Sequence, residues 1–527
     1  MPKLYDVGGV YPHDDHLERL AKYELCRKAF DGRLEELRER FMEVIANDPD
    51  RKEQYEQLKK LLIAVNLPDI LTTKPADLMV GEPPAYESGK PDRSREQQKL
   101  NELVEENGLN KLIHELVIGA GVKGDAFVKV RYGYRADLSE IPEGYDPPPG
   151  IKKEPIIELV DPSYVFPEIS EYNRKQFKAI NIAFPYFIDT GEEEKPFLRV
   201  ERHVPGYIIT EDFELGEPQT VNVDTVDILQ YPIIERVGEP TVTPTGVPVP
   251  LIFHVPYKTT DDTWKGIGGI EKILSLLQAI NDRLVQIDYI LFKHSDPTMY
   301  GPPLEDGGGN SAAAGGQYIE INKDDPVPGY TTWEAQLQAA FQELDKLISL
   351  VFMLSETPQW IFGTIVSSAG GEGGSGTSHT DGTAIKARFM PLLSKVKRIR
   401  VHVDEAIRDA LYYAMVLENQ AARGTAGFEP YEPTYPKIVW KDGLPASEKE
   451  LAEIMNIRTG GKPTIDVKTA IKIMDEVDDV QAEEIMKRIE EDEQAANGFV
   501  DSSIFNRDED EETSEEVPEE TEAGGEA

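Results

Sequence analysis

No intrachain disulfide framework can hold this chain, because Cys26 is the sole cysteine in 527 residues. That absence fits folding in a reducing cytoplasm. Long apolar runs are missing too. Leu61-Leu62-Ile63-Ala64-Val65 is typical, and no run approaches the roughly 18 residues of a membrane span. Met1–Tyr11 lacks the basic segment and apolar stretch of a secretory signal, so a soluble, unprocessed chain is expected. There is no G-x-x-x-x-G-K-[ST], since Gly89-Lys90 and Gly461-Lys462 are each followed by proline. The phosphate-cradling loop of an ATPase motor is thereby excluded. H-E-x-x-H, paired C-x-x-C and G-x-S-x-G are absent as well, and the sequence gives no case for catalysis, a metal site or a cofactor. Bases are scarce: 56 Lys and Arg stand against 97 Asp and Glu, for a formal net charge of −41. A static nucleic-acid binder needs Lys and Arg against phosphates, and this composition rules one out.

What the chain does have is helical periodicity. Ile270, Leu277, Leu284 and Leu291 recur every seven residues, with Ile273, Ile280 and Ile287 between them. Leu337, Leu344 and Val351 repeat the spacing, with Phe341, Leu347 and Leu354 beside them. Such seams specify straight helices packed lengthwise, the first roughly 40 Å long at 1.5 Å per residue. The segment between them is polar and glycine-rich, and only Gln317 to Asn322 (Gln317, Tyr318, Ile319, Glu320 and Ile321 foremost) reads clearly as a strand.

Elsewhere the order of parts is helices, then strands, then helices. Asp14–Asn47, Gln54–Leu67 (ending before Pro68) and Glu96–Gly119 read as helices. Ala126–Tyr132, Ile156–Val160, Lys178–Phe184, Phe197–Val204 and Tyr207–Thr210 read as short strands, in a mixed α and β region reaching about Trp264. Ile385, Phe389, Leu392, Val396, Ile399, Val403 and Ala410 form a further helical stripe, which Pro391 should kink. Two or three short helices follow between Ser447 and Glu493. The last 27 residues hold 12 acids and one base, a composition expected to be disordered.

Two apparent motifs have plainer explanations. Gly119-Ala-Gly121-Val-Lys-Gly124 matches a dinucleotide-binding pattern, but that pattern needs a strand before it and a helix after it. Here the order is reversed, so a helix-to-strand turn is expected. His13-Asp14-Asp15-His16 lies at a helix start, where acids cap the N-terminus.

One charge anomaly stands out. Between Thr383 and Val403 there are six bases, Lys386, Arg388, Lys395, Lys397, Arg398 and Arg400, and no acid. They follow a loop containing Gly370, Gly371, Gly373, Gly374 and Gly376. Either this is a helix face pairing with acidic neighbours, or it lies close to nucleic acid.

The layout resembles the portal proteins of tailed double-stranded DNA bacteriophages. Lys74-Pro-Ala-Asp-Leu-Met-Val-Gly81-Glu-Pro-Pro84 is similar to the family's early turn segment. Gly124–Val130 and Val160–Pro167 resemble its wing strands, and Gly266–Leu274 running into Ala279–Asp282 resembles the start of its first stem helix. Asp475–Met486 resembles its crown helices.

The resemblance implies an α+β chain with a wing at 1–266 and stem helices at 267–294 and 333–355. It implies a clip at 295–332 and a tunnel-loop region at 356–382. A kinked helix and wing return would follow at 383–445, then a helical crown at 446–495 and a disordered acidic tail at 496–527. It further implies a non-enzymatic ring, usually of twelve subunits, at a capsid vertex, assembled in the host cytoplasm. Duplex DNA would pass through it, and the terminase large subunit, major capsid, scaffolding and head-completion or adaptor proteins would dock on it, without a membrane partner. In that picture the six bases lie near the channel, the glycine loop is the tunnel loop, and residues 317–321 belong to the clip. A largely acidic wall would let DNA pass where a basic one would grip it. A different head–tail adaptor or tail protein, and an acidic cytosolic α/β enzyme, are the alternatives the composition leaves open.

Overall fold

The computed structural model describes residues 3–32, 65–138, 141, 148, 150–189, 191, 194–224, 226–295, 299–301, 318–320, 337–362, 382–423, 428–443, 448–475, 477 and 479–497. The fold is mixed α and β, and the chain divides into two compact units, Met1–Pro445 and Ala446–Ala527.

The described helices of the first unit are α1 (Leu17–Phe30), α2 (Leu67–Val80), α3 (Arg95–Glu106), α4 (Leu109–Lys123), α5 (Leu274–Ser295), α6 (Leu337–Leu354) and α7 (Gly382–Ala421). The second unit holds α8 (Glu448–Thr459), α9 (Val467–Asp475) and α10 (Asp479–Asn497). α10 runs two residues past the expected start of the tail. The rest of the tail lies outside the described residues.

Several helix boundaries differ from expectation for identifiable reasons. Pro68 opens α2 rather than following a helix, since a proline in the first turn sacrifices no hydrogen bond. The Gln54–Leu67 helix otherwise lies outside the described residues, as does the latter part of Asp14–Asn47. The single helix expected over Glu96–Gly119 is two, because Gly108 takes a left-handed φ of 53° between them. Asn107 closes the first by donating from its side-chain amide to the Leu103 carbonyl. Gly119 and Gly121 lie inside α4, and only Gly124, at φ 93°, makes the turn. α7 continues through Pro391 as one helix.

The strands build four sheets. A seven-stranded antiparallel sheet contains β1 (Val10–Tyr11), β5 (Val165–Ile169), β6 (Phe177–Asp189), β7 (Glu194–Val204), β8 (Tyr207–Leu215), β9 (Gln219–Val223) and β10 (Val226–Pro244). Its order is β1-β10-β8-β7-β6-β5, with β9 pairing β10. A second sheet runs β11 (Ile252–Pro256), β3 (Asp125–Tyr134), β4 (Lys153–Val160), also antiparallel. β14 (Lys437–Val439) pairs β2 (Ala85–Glu87), and β12 (Met299–Gly301) pairs β13 (Tyr318–Glu320) in parallel.

The largest core packs α4 and the C-terminal half of α7 around the β11-β3-β4 sheet. Ile113, Leu116 and Val117 meet Ile399, Val403, Ile407 and Leu411 over Val128, Val130 and Ile157. Residues spaced three and four apart put one apolar stripe of each helix on this sheet. A smaller core of Phe127, Val165, Ile180, Ile182, Ile252 and Trp264 joins strands of the two larger sheets.

Candidate functional site at the roots of the α5–α6 helix pair

α5 and α6 lie against each other along their apolar stripes. Ile270, Ile273, Leu277, Ile280, Ile287, Leu344 and Val351 are buried in one cluster, with Leu284 partly buried beside them. Arg283 donates to Glu343 across the pair at 2.7 Å. Leu291 and Phe341 are exposed rather than in the seam; Leu291 stands near the end of α5 and Phe341 near the start of α6. The side chain of Leu337 lies outside the described residues.

The root of α5 is set by glycines and a buried carboxylate. Residues 267–269 are not yet helical, and α5 starts only at Leu274 after a short 3₁₀ turn. Here the chain crosses the end of α4 at close range. Gly269 N donates to the Gly121 carbonyl at 2.7 Å, and Tyr257 N to that of Gly124 at 2.9 Å. A Cβ on Gly266 would stand 1.9 Å from the Gly124 carbonyl oxygen, so no side chain fits. Asp125, 1% exposed, accepts from Gly266 N at 2.7 Å, from His254 Nε2 at 2.6 Å and from the Tyr23 hydroxyl. Burial pushes this carboxyl up, but the hydrogen bond and charge of His254, with Tyr23 and Gly266, outweigh it and hold its pKa below the ordinary value. Arg19 extends the network, donating to Tyr23 and to the carbonyls of Pro162 and Val165. A His–carboxylate pair of this kind also serves catalysis in other settings. Here one carboxylate oxygen takes Gly266 N and His254 and the other takes Tyr23, which ties the start of α5 to β3 and α1.

The root of α6 is set by cations. α6 ends in a Schellman motif: Thr357 N bonds the Phe352 carbonyl, Glu356 N bonds that of Met353, and Glu356 takes a left-handed φ of 55°. That position normally holds glycine, and Glu356 occupies it while accepting two bonds from Arg398 at 2.8 and 2.9 Å. Three residues earlier on α7, Lys395 donates to the Ser355 carbonyl at 2.8 Å. Beside this end is a groove of about 420 Å³ lined by Phe352, Met353, Pro358, Trp360, Arg388 and Pro391.

The six bases of α7 therefore do not form one surface. Lys395, 3% exposed, is a correction to its expected place near nucleic acid: its ammonium is buried and committed to backbone carbonyls. Arg398 is engaged with Glu356, and Arg400 donates to the Lys441 carbonyl and lies over the Trp440 ring. Only Arg388 and Lys397 point outward as exposed side chains; that of Lys386 lies outside the described residues. Gly370, Gly371, Gly373, Gly374 and Gly376 lie outside them too, as do Gln317 and Ile321. Tyr318, Ile319 and Glu320 form β13.

His13 and His16 do not converge on a metal. His13 Nδ1 accepts from Asp15 N at 3.3 Å as a helix cap, and His16 is buried edge-on against Phe166. Burial, with Arg19, Lys265 and His13 nearby, pushes the His16 pKa down to about 2. No cluster of three metal-ligating side chains occurs among the described residues, and none of their helices is long and apolar enough to cross a membrane.

Sequence reasoning missed the Asp125 network and the burial of Lys395. Pro75, inside α2, was the available signal for the latter, since it leaves a carbonyl in need of a donor. No protein-family model matches the chain, and none of the curated proteins compared with it does.

Proposed function

We propose that this chain is the portal subunit of a tailed double-stranded DNA bacteriophage. Copies would close into a ring at a capsid vertex, forming the channel through which the genome is packaged and ejected. The observation that carries the reading is the end of α6. Leu350, Val351, Phe352, Met353 and Leu354 make its last turns apolar all round, yet Leu350, Met353 and Leu354 are exposed, Met353 at 66%. A helix apolar on every side belongs in a covered setting. A neighbouring copy supplies that cover, and a head-to-tail interface whose rotation closes gives a ring. The order of segments along the sequence supports the same reading.

In this reading the protein is a structural conduit with no reaction of its own. α5 and α6 are the stem, β12 and β13 belong to the clip that meets the terminase, and α8–α10 form the crown. The subunit resides in the virion. Arg388 and Lys397 are the bases placed to touch passing DNA, weakly enough for it to slide. Negative-stain electron microscopy of the purified protein tests the reading. Annular particles with a central channel are expected, and a field of small compact particles would overturn it.

A further inference from the structure

Lys395 occupies a site built from two backbone carbonyls, one opened by a proline in α2 and one at the end of α6. Pro75 has no N–H, so the carbonyl of Leu71, four residues earlier in α2, receives no helical hydrogen bond. The Ser355 carbonyl lies past the last intrahelical bonds of α6 and also accepts from the Thr357 hydroxyl at 3.2 Å. The Lys395 ammonium reaches both, at 3.4 Å to Leu71 and 2.8 Å to Ser355, and lies 5.9 Å from the centre of the Tyr257 ring. The ionisable groups facing it are Glu356, Arg398 and Tyr257. An apolar side chain of similar volume would fill the space without burying a charge, so stability alone does not account for an ammonium here.

We infer that Lys395 is a latch: its ammonium ties the end of α6 and the proline-opened carbonyl of α2 to α7, so that the helix pair and the main core move as one body. Arg398, gripping Glu356 one turn further along α7, is its outer half. Opening the end of α6 returns the ammonium to water, where it binds its proton more tightly than in the closed site. Burial pushes the lysine pKa down to about 8, so opening takes up a proton between about pH 8 and the ordinary value near 10.5, and mild alkali holds the latch shut. The inference stands apart from the ring reading and is tested in whatever assembly state the chain adopts.

The test is hydrogen exchange on the full chain at pH 7 and pH 9, comparing the parent with Lys395→Met and Pro75→Ala. In the parent, exchange over residues 351–357 should speed up from pH 7 to pH 9 by less than the intrinsic rate does. Lys395→Met should exchange there about tenfold faster or more at pH 7 and follow the intrinsic rate up to pH 9 without the shortfall, with the remaining α7 core unchanged. Pro75→Ala gives the Leu71 carbonyl its own donor. It should slow exchange in α2 and remove any such shortfall there, while residues 351–357 keep theirs. Parent-like exchange at 351–357 in Lys395→Met would overturn the latch. Should that variant unfold throughout, a shortfall in α2 that persists in Pro75→Ala would overturn it instead.

Discussion

The α5–α6 helix pair is tied down at two roots, and the roots use opposite charges. At the start of α5 a buried carboxylate, Asp125, collects donors from Tyr23, His254 and Gly266. At the end of α6 a buried ammonium, Lys395, collects backbone carbonyls, with Arg398 and Glu356 outside it. The carboxylate faces a histidine and more donors than the lysine has acceptors, and its folded pKa is depressed. For an acid that means stability, present at neutral pH and lost as pH falls through the folded value. The lysine pKa is also depressed, to about 8, but for a base the sign reverses. Below pH 8 the charged form is held at a cost. Between about 8 and the ordinary lysine value near 10.5 the unfolded chain binds the extra proton, so this contribution to stability rises with pH. One root is a fixed anchor and the other is conditional.

The largest expected effect lies at the anchor. Asp125→Ala removes the acceptor of three buried donors and should cost about 3–5 kcal/mol, read as a drop in unfolding free energy by denaturant titration. A loss under about 1 kcal/mol would make the two roots equivalent. Next comes Gly266→Ala. Its methyl would meet the Gly124 carbonyl at 1.9 Å, and separating the two backbones should cost about 2–3 kcal/mol. The smallest effect sharpens the conditional root: Glu356→Ala keeps the left-handed strain and loses Arg398, costing about 1 kcal/mol, while Glu356→Gly relieves the strain and should be close to neutral. Equal losses in the two would show that the φ of 55° is not the reason Arg398 is needed.

Local pattern made much of this legible in the sequence. The β-branched and aromatic runs marked the central strands, and the seven-residue spacing of Ile270, Leu277 and Leu284 marked the α5 seam. Strand order was not legible, because β10 pairs on one side with β8 nearby in the chain and on the other with β1, whose partners lie more than 200 residues away. The six bases of α7 read as one feature because sequence shows charge density but not direction. On a 3.6-residue period Lys395 turns into the core, while Lys397 turns out. The Gly266-Ile267-Gly268-Gly269 segment was noticed as a resemblance, and its physical cause is backbone contact with Gly121 and Gly124. The glycine loop and most of the expected clip lie outside the described residues.

The central claim is that copies of this chain cover the apolar end of α6 and close into a ring. Native mass spectrometry at moderate salt tests it most directly, comparing the parent with Leu350→Glu, Met353→Glu and Leu354→Glu combined. The account predicts one discrete assembly of about twelve copies for the parent and dissociation to monomers for the triple variant. Monomers alone for the parent, at every concentration and ionic strength, would contradict it.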